Sequence, residues 1–583
     1  MIYIKFFFKI FFILFFTYLS FKFHFFVLHD FFTSSKIIFP YAIHPFDICS
    51  KNPSIWNYSK KIYFFTFLFS QIIISNFIYF NLYEFLKNII NLYIKLIKSL
   101  GHHLIYFKEN FLKHKNSSQY LELIIGFSSS DNSIIKVPES GLYQNFIITG
   151  TIGSGKTSSA MYPFTKQFLL YNSKNIEKIG MLILDVKGNY YKQVYSFCSN
   201  LNLLNDLIVI QLNSTVFYNP LHKPNLKPQI LANRLKTILL LFSENNSDSF
   251  WLDKAEEVIC ESIKLCRLYN DGYVTFFEIH KLISDLDYYN KKISFLKNLF
   301  LSNALSKEEI YEFNSSLSFF EKEFLNLDSR TKGIIISEIT RITSPFISDY
   351  DVKNTFCSPK ENLTFSGFDE VLKKGKIVIL NMNIFEYSNL SKIIATYLKL
   401  DFQTEVMMNL SKNQIYKSCF ICDEYDKFAS KTDGEFFSLS REAKCINIVS
   451  TQSYSSLKNS LKDNNSVNVI IQNLINKIWF RTDDIFTIEE AQKQLGKEEK
   501  LKSSRSISEN AKETNLSYIT NTLSSINSTI SESFSSYTQK EFKFDYDFFT
   551  QNLETFSALT FLSDGSNIYP PLKINFIPYF KTK

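Results

Sequence analysis

A glycine-rich octapeptide that ends in lysine and threonine is the first feature of this chain able to do chemistry. It fills every required position of the pattern G-x-x-x-x-G-K-[ST], with the residues Gly150, Thr151, Ile152, Gly153, Ser154, Gly155, Lys156 and Thr157. An apolar run at 145–149 precedes it and a helix-compatible stretch at 158–171 follows it. In this strand–loop–helix context, backbone amides and the helix N-terminus bind phosphate oxygens. The octapeptide therefore predicts a site for a nucleoside triphosphate.

The last two residues of the octapeptide have separate expected roles. Lys156 would reach the β- and γ-phosphates of ATP, and the Thr157 hydroxyl would hold Mg²⁺. A chance glycine-rich turn is the alternative, but such a turn needs neither the strand before it nor the helix after it.

A second apolar run ends in two carboxylates. Residues 418–422 read as a buried strand, and Asp423 and Glu424 follow directly. We expect Asp423 to position Mg²⁺ and Glu424 to orient and polarise the attacking water. An isolated Asp-Glu pair is weak evidence, but together with the octapeptide it predicts hydrolysis of the bound nucleotide.

Three further polar residues follow predicted strands or helices in the same half of the chain. Gln452 lies just after the strand at 446–450, a position that suits a sensor of the γ-phosphate. Arg441 is the first candidate for an arginine finger acting on a neighbouring subunit, and Arg481 is the second. A surface ion pair is the alternative for each arginine. Asp185, at the end of the strand at 181–186, is either a ligand-side residue or a turn residue.

Helical periodicity dominates the middle of the chain. Six segments between about 225 and 345 show helical apolar spacing, which predicts an α-helical insertion between the octapeptide and the two carboxylates. Strand patterns return at 376–382, 477–480, 558–562 and 572–577. Residues from about 500 to 540 are rich in Ser, Thr and Asn, which predicts an exposed or flexible segment.

The length and the amino-terminal composition limit the class of protein. A chain of 583 residues predicts two to four domains, and its net charge of +8 permits contact with nucleic acid without arguing for it. Two apolar segments open the chain. We expect transmembrane helices at about 5–28 and 62–83, with a cleaved signal peptide as the alternative for the first. An ATP site must face the cytosol, so both termini are expected inside.

The motifs, taken in order, resemble the type IV secretion coupling proteins of the VirD4/TraG/TraD family, in the branch of Gram-positive conjugative elements. Besides the residues above, the resemblance rests on several short motifs, which begin at Asp185 (Asp-Val-Lys-Gly), Asn219 (Asn-Pro-Leu), Phe250 (Phe-Trp), Glu338 (Glu-Ile-Thr-Arg), Ser344 (Ser-Pro-Phe), Gly375, Ser440 (Ser-Arg-Glu) and Ser450 (Ser-Thr-Gln-Ser). Val186 stands where the family usually has proline.

This resemblance implies a RecA-like P-loop motor with an inserted all-α domain, behind a two-helix transmembrane region. The expected domains are a membrane anchor at 1–100, the motor at 101–224 and 346–583, and the all-α domain at 225–345. It also implies a multi-pass protein of the cell membrane with its ATPase in the cytoplasm, assembled as a homo-hexamer. ATP and Mg²⁺ are the implied cofactors, and the catalytic set would be Lys156, Asp423, Glu424, Gln452 and Arg441.

The implied function is to receive relaxase-bound single-stranded DNA and to pump it into a type IV secretion channel during conjugation. The expected partners are therefore single-stranded DNA, the relaxase, channel components and the lipid membrane. Three alternatives remain open: a coupling protein that exports protein effectors, a non-catalytic membrane adaptor that retains the nucleotide fold, and a chromosome-segregation translocase of the FtsK type.

Overall fold

The computed structural model describes residues 120–242, 249–411, 415–511, 515–517, 522–524 and 528–581, together with Phe15, Tyr18 and Phe69. Apart from those three positions, both predicted membrane helices, at about 5–28 and 62–83, lie outside the described residues. Within what is described, no helix is at once long and apolar enough to cross a bilayer. Ser118–Lys583 form one compact unit.

The described residues form fifteen strands. In chain order these are β1 (Glu122–Ser128), β2 (Ile134–Pro138), β3 (Phe146–Thr149), β4 (Gly180–Leu184), β5 (Leu207–Ile210), β6 (Ile377–Leu380), β7 (Ser418–Cys422), β8 (Cys445–Thr451), β9 (Asn476–Phe480), β10 (Lys497–Ala511), β11 (Asn515–Ser517), β12 (Thr522–Ser524), β13 (Ser528–Phe542), β14 (Ser557–Phe561) and β15 (Leu572–Asn575).

Helices connect and cover these strands. In chain order they are α1 (Glu139–Leu142), α2 (Tyr162–Lys174), α3 (Tyr190–Asn200), α4 (Pro228–Leu240), α5 (Ser249–Tyr269), α6 (Phe276–Ser284), α7 (Leu286–Leu301), α8 (Lys307–Ser318), α9 (Ser329–Thr343), α10 (Tyr350–Phe356), α11 (Phe368–Lys374), α12 (Ile384–Asn409), α13 (Asp433–Leu439), α14 (Tyr454–Leu461), α15 (Asn464–Asn473), α16 (Ile485–Leu495) and α17 (Tyr546–Thr550). Turns of π-helix precede α2 at Lys156–Met161 and follow α8 at Phe319–Phe324.

Eleven strands form one sheet in the order β2-β1-β15-β14-β9-β3-β8-β7-β4-β6-β5. The run from β9 to β5 is parallel, whereas β14, β15, β1 and β2 extend it antiparallel from β9. Parallel strands buried on both faces read as continuous apolar runs. That property made β3, β4, β6, β7, β8 and β9 visible in the sequence, and the structure has a strand at each predicted position. Strands β1, β2 and β5 are additional to those predicted.

Each face of the sheet packs into its own hydrophobic cluster. Along β3, Phe146 and Ile148 point into one cluster with residues of α2 and α3, and Ile147 points into the other. This second cluster continues without a break into the helices between α4 and α9. The helical segment thus packs on the sheet through a shared core. The predicted limits of the all-α domain, 225–345, stay a prediction.

The Ser/Thr/Asn-rich stretch, which was predicted to be exposed or flexible, contains regular structure. Its described residues form a two-stranded antiparallel ribbon, in which β10 and β13 pair from Lys497 opposite Phe542 to Ala511 opposite Ser528. Pairing of backbone groups needs no apolar periodicity, which explains why the hydrophobic pattern of the sequence did not reveal it. Side chains such as Leu501 and Phe534 remain exposed on this ribbon.

Candidate nucleotide-binding site

The carboxyl ends of the parallel strands place the predicted site residues along one edge of the sheet. Strand β8 lies between β3 and β7, and β4 lies on the other side of β7. The octapeptide follows β3, the two carboxylates follow β7, and Gln452 follows β8. Ligands of open α/β sheets bind at this edge.

The octapeptide forms a tight loop, called the nucleotide loop below, in which two glycines have left-handed backbone angles. Gly153 has φ 79° and Gly155 has φ 100°, a region that residues with a Cβ rarely adopt. A Cβ on Gly155 would lie 2.5 Å from Cδ1 of Phe556, whereas a Cβ on Gly153 would meet no atom within 4 Å. Gly155 is therefore closed in by the protein, while the loop is open at Gly153.

Neighbouring strand ends hold this loop in place. The Gly150 amide donates to the carbonyl of Gln452 at 3.2 Å, and the Thr151 amide donates to the carbonyl of Arg481 at 2.9 Å. On the far side, the Phe556 amide donates to the carbonyl of Ser154 at 3.2 Å. The loop is thus fixed by β8, by β9 and by the residues that lead into β14.

Lys156 lies over the loop that precedes it. Its Nζ donates to the carbonyl of Thr151 at 3.2 Å and also to the carbonyl of Gly150. Burial lowers the pKa of Lys156 from its ordinary value, against the opposing effect of the Asp423 and Glu424 carboxylates. A desolvated ammonium group close to carboxylates suits a residue that neutralises phosphate charge.

A hydrogen bond joins the loop to the end of β7. Thr157 Oγ1 donates to Asp423 Oδ2 at 2.9 Å. Ser450 of β8 donates its hydroxyl to the other oxygen, Asp423 Oδ1, and the Glu424 amide also donates to that oxygen at 3.2 Å. Hydroxyl and carboxylate oxygens are the ligands that Mg²⁺ prefers. The predicted metal residues, Thr157 and Asp423, are therefore in direct contact.

Glu424 is held in an unusual conformation. Its backbone has φ 52°, in the left-handed region, and its carboxylate pairs with Lys187 Nζ at 2.6 Å. This hydrogen bond raises the pKa of Lys187 from its ordinary value. Strained backbone at a non-glycine residue often marks a functional site. The carboxylate accordingly sits beside Asp423 with a cation as its partner.

Asp185, at the end of β4, belongs to the same group of charges. It is buried and accepts a hydrogen bond from the Tyr190 amide at 3.1 Å. Burial raises the pKa of Asp185 above its ordinary value, and the carboxylates of Asp423 and Glu424 raise it further. The structure thus places Asp185 on the ligand edge of the sheet, where it also accepts the amide of the first residue of helix α3.

The two candidate arginines lie at different places. Arg441 Nη2 donates to the carbonyl of Gly565 at 3.2 Å. Gln144, two residues before β3, donates to the same carbonyl. Arg441 therefore lies at the edge of the sheet opposite the nucleotide loop of its own chain. Arg481 lies next to that loop, because its carbonyl accepts the hydrogen bond from the Thr151 amide. A finger would act on a neighbouring subunit, so the choice between them stays open.

Three residues that contact the predicted site residues were not themselves predicted to belong to the site. Lys187 was noted only as part of a motif, and Ser450 and Phe556 were given no role there. The parallel order explains the first two, because β4 and β8 flank β7. The third follows from the antiparallel direction of β14, which returns its first residues to the nucleotide edge. The sequence offered a signal only for Lys187, which comes two residues after a strand-terminal aspartate.

The residues present fit a nucleoside triphosphate with Mg²⁺. The first amides of a helix have no acceptor within the helix, and the helix that starts at Lys156 follows directly on Gly155. The opening at Gly153 leaves room on the outer side of the loop. Together with Lys156 and the contact between Thr157 and Asp423, these groups can balance the charge of phosphates and of a divalent cation.

One family model matches the carboxyl-terminal part of the chain. Residues 418–540 match TraG-D_C, described as the TraM recognition site of TraD and TraG. The match begins with strand β7, and so includes Asp423, Glu424 and Gln452. No curated protein sequence matches this chain.

Solved structures of coupling proteins share the fold. The bacterial conjugative coupling protein TrwB in an unbound form has 12% identity and a TM-score of 0.52, and the match covers 79% of this chain and 89% of that one. TrwB with the GTP analogue GDPNP has 11% identity and a TM-score of 0.51, covering 79% and 96%. TrwB with ADP and Mg²⁺ has 12% identity and a TM-score of 0.51, covering 76% and 87%.

The likeness to these structures shows the fold, which is an α/β nucleoside-triphosphatase fold of the RecA-like type. The family model adds a match in sequence over residues 418–540, which begin with β7. Together they confirm the resemblance to type IV coupling proteins of the TraG/TraD family that the ordered motifs predicted, by a sequence match over residues 418–540 and by a shared fold over most of the chain.

Proposed function

We propose that this protein is an ATPase that couples relaxase-bound single-stranded DNA to a type IV secretion channel during conjugation. The observation that carries the proposal is the contact of Thr157 Oγ1 with Asp423 Oδ2 at 2.9 Å. It joins the nucleotide loop to the strand-terminal carboxylates, and so brings together the two halves of a hydrolytic site that are 266 residues apart in the sequence.

Each residue of the site has one task in this proposal. Lys156 and the loop amides hold the phosphates of ATP, and Thr157 and Asp423 hold Mg²⁺. When bound, Mg²⁺ neutralises charge on the β- and γ-phosphates. Glu424 orients and polarises the attacking water, and Gln452 senses the γ-phosphate from the neighbouring strand.

The ion pair of Glu424 with Lys187 is compatible with the role of Glu424 in orienting water. The Lys187 side chain is 54% exposed, whereas that of Glu424 is 16% exposed. An exposed lysine contributes little to holding such a pair, so the carboxylate can turn towards a water molecule at low cost. The pair therefore suits a base that is released when the nucleotide is in place.

The comparisons support a role in conjugative DNA transfer. TrwB is titled a conjugative and plasmid coupling protein and was solved with ADP and Mg²⁺, and the family model is described as a TraM recognition site. By this likeness we propose that our chain receives a DNA–protein complex as its cargo. DNA would be bound by sequence-independent contacts with its phosphates.

Oligomer and location complete the proposal. An arginine finger supplied in trans needs a ring, so we propose a homo-hexamer in which Arg441 or Arg481 reaches the neighbouring site. We also propose that residues 1–100 anchor the protein in the cell membrane by two helices, with the ATPase in the cytoplasm beside the channel components.

The test is ATP hydrolysis by the purified full-length chain, with and without single-stranded DNA. Lys156→Ala and Glu424→Gln are compared with the exposed control variants Lys192→Ala and Glu435→Gln. We expect DNA to stimulate hydrolysis, the two site variants to abolish it and the controls to retain it. Hydrolysis indifferent to DNA would favour protein cargo, and a wild type that binds no nucleotide would leave the non-catalytic adaptor.

A further inference from the structure

A buried ion pair lies behind the hydrolytic site. Lys399 of α12 and Asp433 of α13 both have fully buried side chains, and their charged atoms are 2.6 Å apart. Removing two charges from water costs free energy that their attraction at best offsets, so such a pair is weak evidence for stability. Its place in the fold indicates another role.

The pair is connected to the segment that carries the catalytic carboxylate. Lys399 Nζ also donates to the carbonyl of Phe428 at 2.7 Å and to the hydroxyl of Ser430 at 2.9 Å. Asp433 accepts the hydroxyl of Tyr425 at 2.5 Å and the side-chain amide of Gln403 at 3.0 Å. We call residues 423–433 the carboxylate loop. Lys399 and Asp433 hold it at its middle and at its end.

Tyr425 brings this network to the catalytic residue. Its side chain is buried and follows Glu424 directly. Glu424 has φ 52°, a conformation that persists in a non-glycine residue only when its surroundings fix it. On the other side of Glu424, the Asp423 amide donates to the carbonyl of Leu184 at 3.0 Å. Both neighbours of Glu424 are therefore anchored, one to the sheet and one to the buried pair.

Asp433 remains ionised in this environment. Burial opposes the charge, but the ammonium group of Lys399 and the hydrogen bonds of Tyr425 and Gln403 hold the pKa of Asp433 below its usual value. An ionised acceptor makes stronger hydrogen bonds than a neutral one. The Tyr425 hydroxyl is accordingly held firmly.

We propose that the Lys399–Asp433 pair positions Glu424 for hydrolysis, with Tyr425 as the positioning residue that transmits its hold to the backbone. This inference rests on the proposed ATPase function. It predicts a defect in the chemical step and not in nucleotide binding, because the nucleotide loop is held by backbone hydrogen bonds with Gln452, Arg481 and Phe556. None of these three residues is hydrogen-bonded to Lys399, Asp433 or Tyr425.

The far face of α12 supplies a matched control. Asp401 follows Lys399 by two residues, which places the two on opposite sides of a helix with 3.6 residues per turn. Asp401 is also buried, pairs with Lys223 and Arg234, and accepts the hydroxyl of Tyr218 at 2.9 Å. Tyr218→Phe thus removes the same kind of buried hydrogen bond as Tyr425→Phe, but away from Glu424.

The experiment measures kcat and KM for ATP, together with the melting temperature, in the full-length chain. We expect Tyr425→Phe to lower kcat by about five- to fiftyfold with KM unchanged, because small misplacements of catalytic groups have effects of this order. Gln403→Met, which removes a second bond to Asp433, should lower kcat less. Tyr218→Phe should lower the melting temperature like Tyr425→Phe while kcat stays at the wild-type value.

Two results would overturn the inference. If Tyr425→Phe and Gln403→Met lower only the melting temperature and leave kcat unchanged, as expected for Tyr218→Phe, the pair is structural and does not position Glu424. If the wild type hydrolyses ATP no faster than Glu424→Gln, the proposed function itself fails and this inference fails with it. The first result leaves the ATPase function intact, so the two failures are distinguishable.

Discussion

Replacing Gly155 by alanine tests whether the shape of the nucleotide loop depends on this glycine. Gly155 has φ 100°, and a Cβ there would lie 2.5 Å from Cδ1 of Phe556. A left-handed conformation costs a residue with a Cβ about 1–2 kcal/mol. Overpacking against a neighbour costs roughly 1–3 kcal/mol more. We therefore expect Gly155→Ala to destabilise the native loop by about 2–5 kcal/mol in total.

This penalty should appear in nucleotide affinity. If ATP binds only the native loop, a cost of this size weakens binding by roughly thirtyfold to several thousandfold, since about 1.4 kcal/mol corresponds to a factor of ten. Titration of a fluorescent ATP analogue with Mg²⁺ measures it. The double variant Gly155→Ala/Phe556→Ala removes the clash but keeps the backbone cost, so it should bind at least about fivefold more tightly than Gly155→Ala.

Gly272 provides the control for this series. It also has a positive φ, 76°, but a Cβ there meets no atom within 4 Å. Gly272→Ala should lose about 1–2 kcal/mol of stability and leave nucleotide affinity unchanged. Wild-type affinity in Gly155→Ala would refute the reasoning altogether. Failure of the Phe556 replacement to restore binding would refute its steric part.

Three further changes test a proposed Mg²⁺ ligand, the buried carboxylate of Asp185 and the buried lysine of β9. Thr157→Val should raise the Mg²⁺ concentration for half-maximal hydrolysis at least about tenfold, because it removes an oxygen ligand. Its affinity for nucleotide in the absence of Mg²⁺ should equal that of the wild type. Burial and neighbouring carboxylates raise the pKa of Asp185 in the folded protein, so its ionised form destabilises the fold. Without Mg²⁺, Asp185→Asn should therefore be more stable than the wild type at pH 7 in urea denaturation, and this advantage should fade as the pH falls towards 4, the usual aspartate pKa. Burial lowers the pKa of Lys477 to about 8, so the wild type should gain stability as the pH rises from 8 towards 10.5. Lys477→Met should be more stable than the wild type by about 3 kcal/mol at pH 7, since one pKa unit corresponds to about 1.4 kcal/mol. Equal stability of either variant and the wild type at pH 7 would contradict the respective expectation.

The parts of the site that the sequence predicted are those with local patterns. The octapeptide is a continuous stretch, and its conformation follows from glycines that take left-handed angles. Asp423 was visible because a buried parallel strand leaves an uninterrupted apolar run that ends at a polar residue. Gln452 was visible for the same reason, and its strand does lie next to that of Asp423.

The contacts that hold the site depended on the order and direction of strands. No pattern in the sequence shows that Ser450 donates to Asp423, because the two residues come from different strands whose pairing is set by the whole sheet. Phe556 reaches the nucleotide loop only because β14 runs antiparallel to β9. The same return places Gly565 at the opposite edge, where it meets Arg441.

The sequence alone thus determined the candidate groups of the proposed site: the octapeptide with Lys156 and Thr157, and the strand-terminal carboxylates Asp423 and Glu424, each set encoded within a few adjacent residues. The tertiary structure alone decided how these groups are held. The pair that we propose to position Glu424 joins a buried lysine and aspartate that are 34 residues apart in the sequence, and the glycine at 155 is closed in by a phenylalanine about 400 residues away. Local patterns follow from backbone sterics and burial, whereas these contacts exist only once the sheet has brought distant strands together.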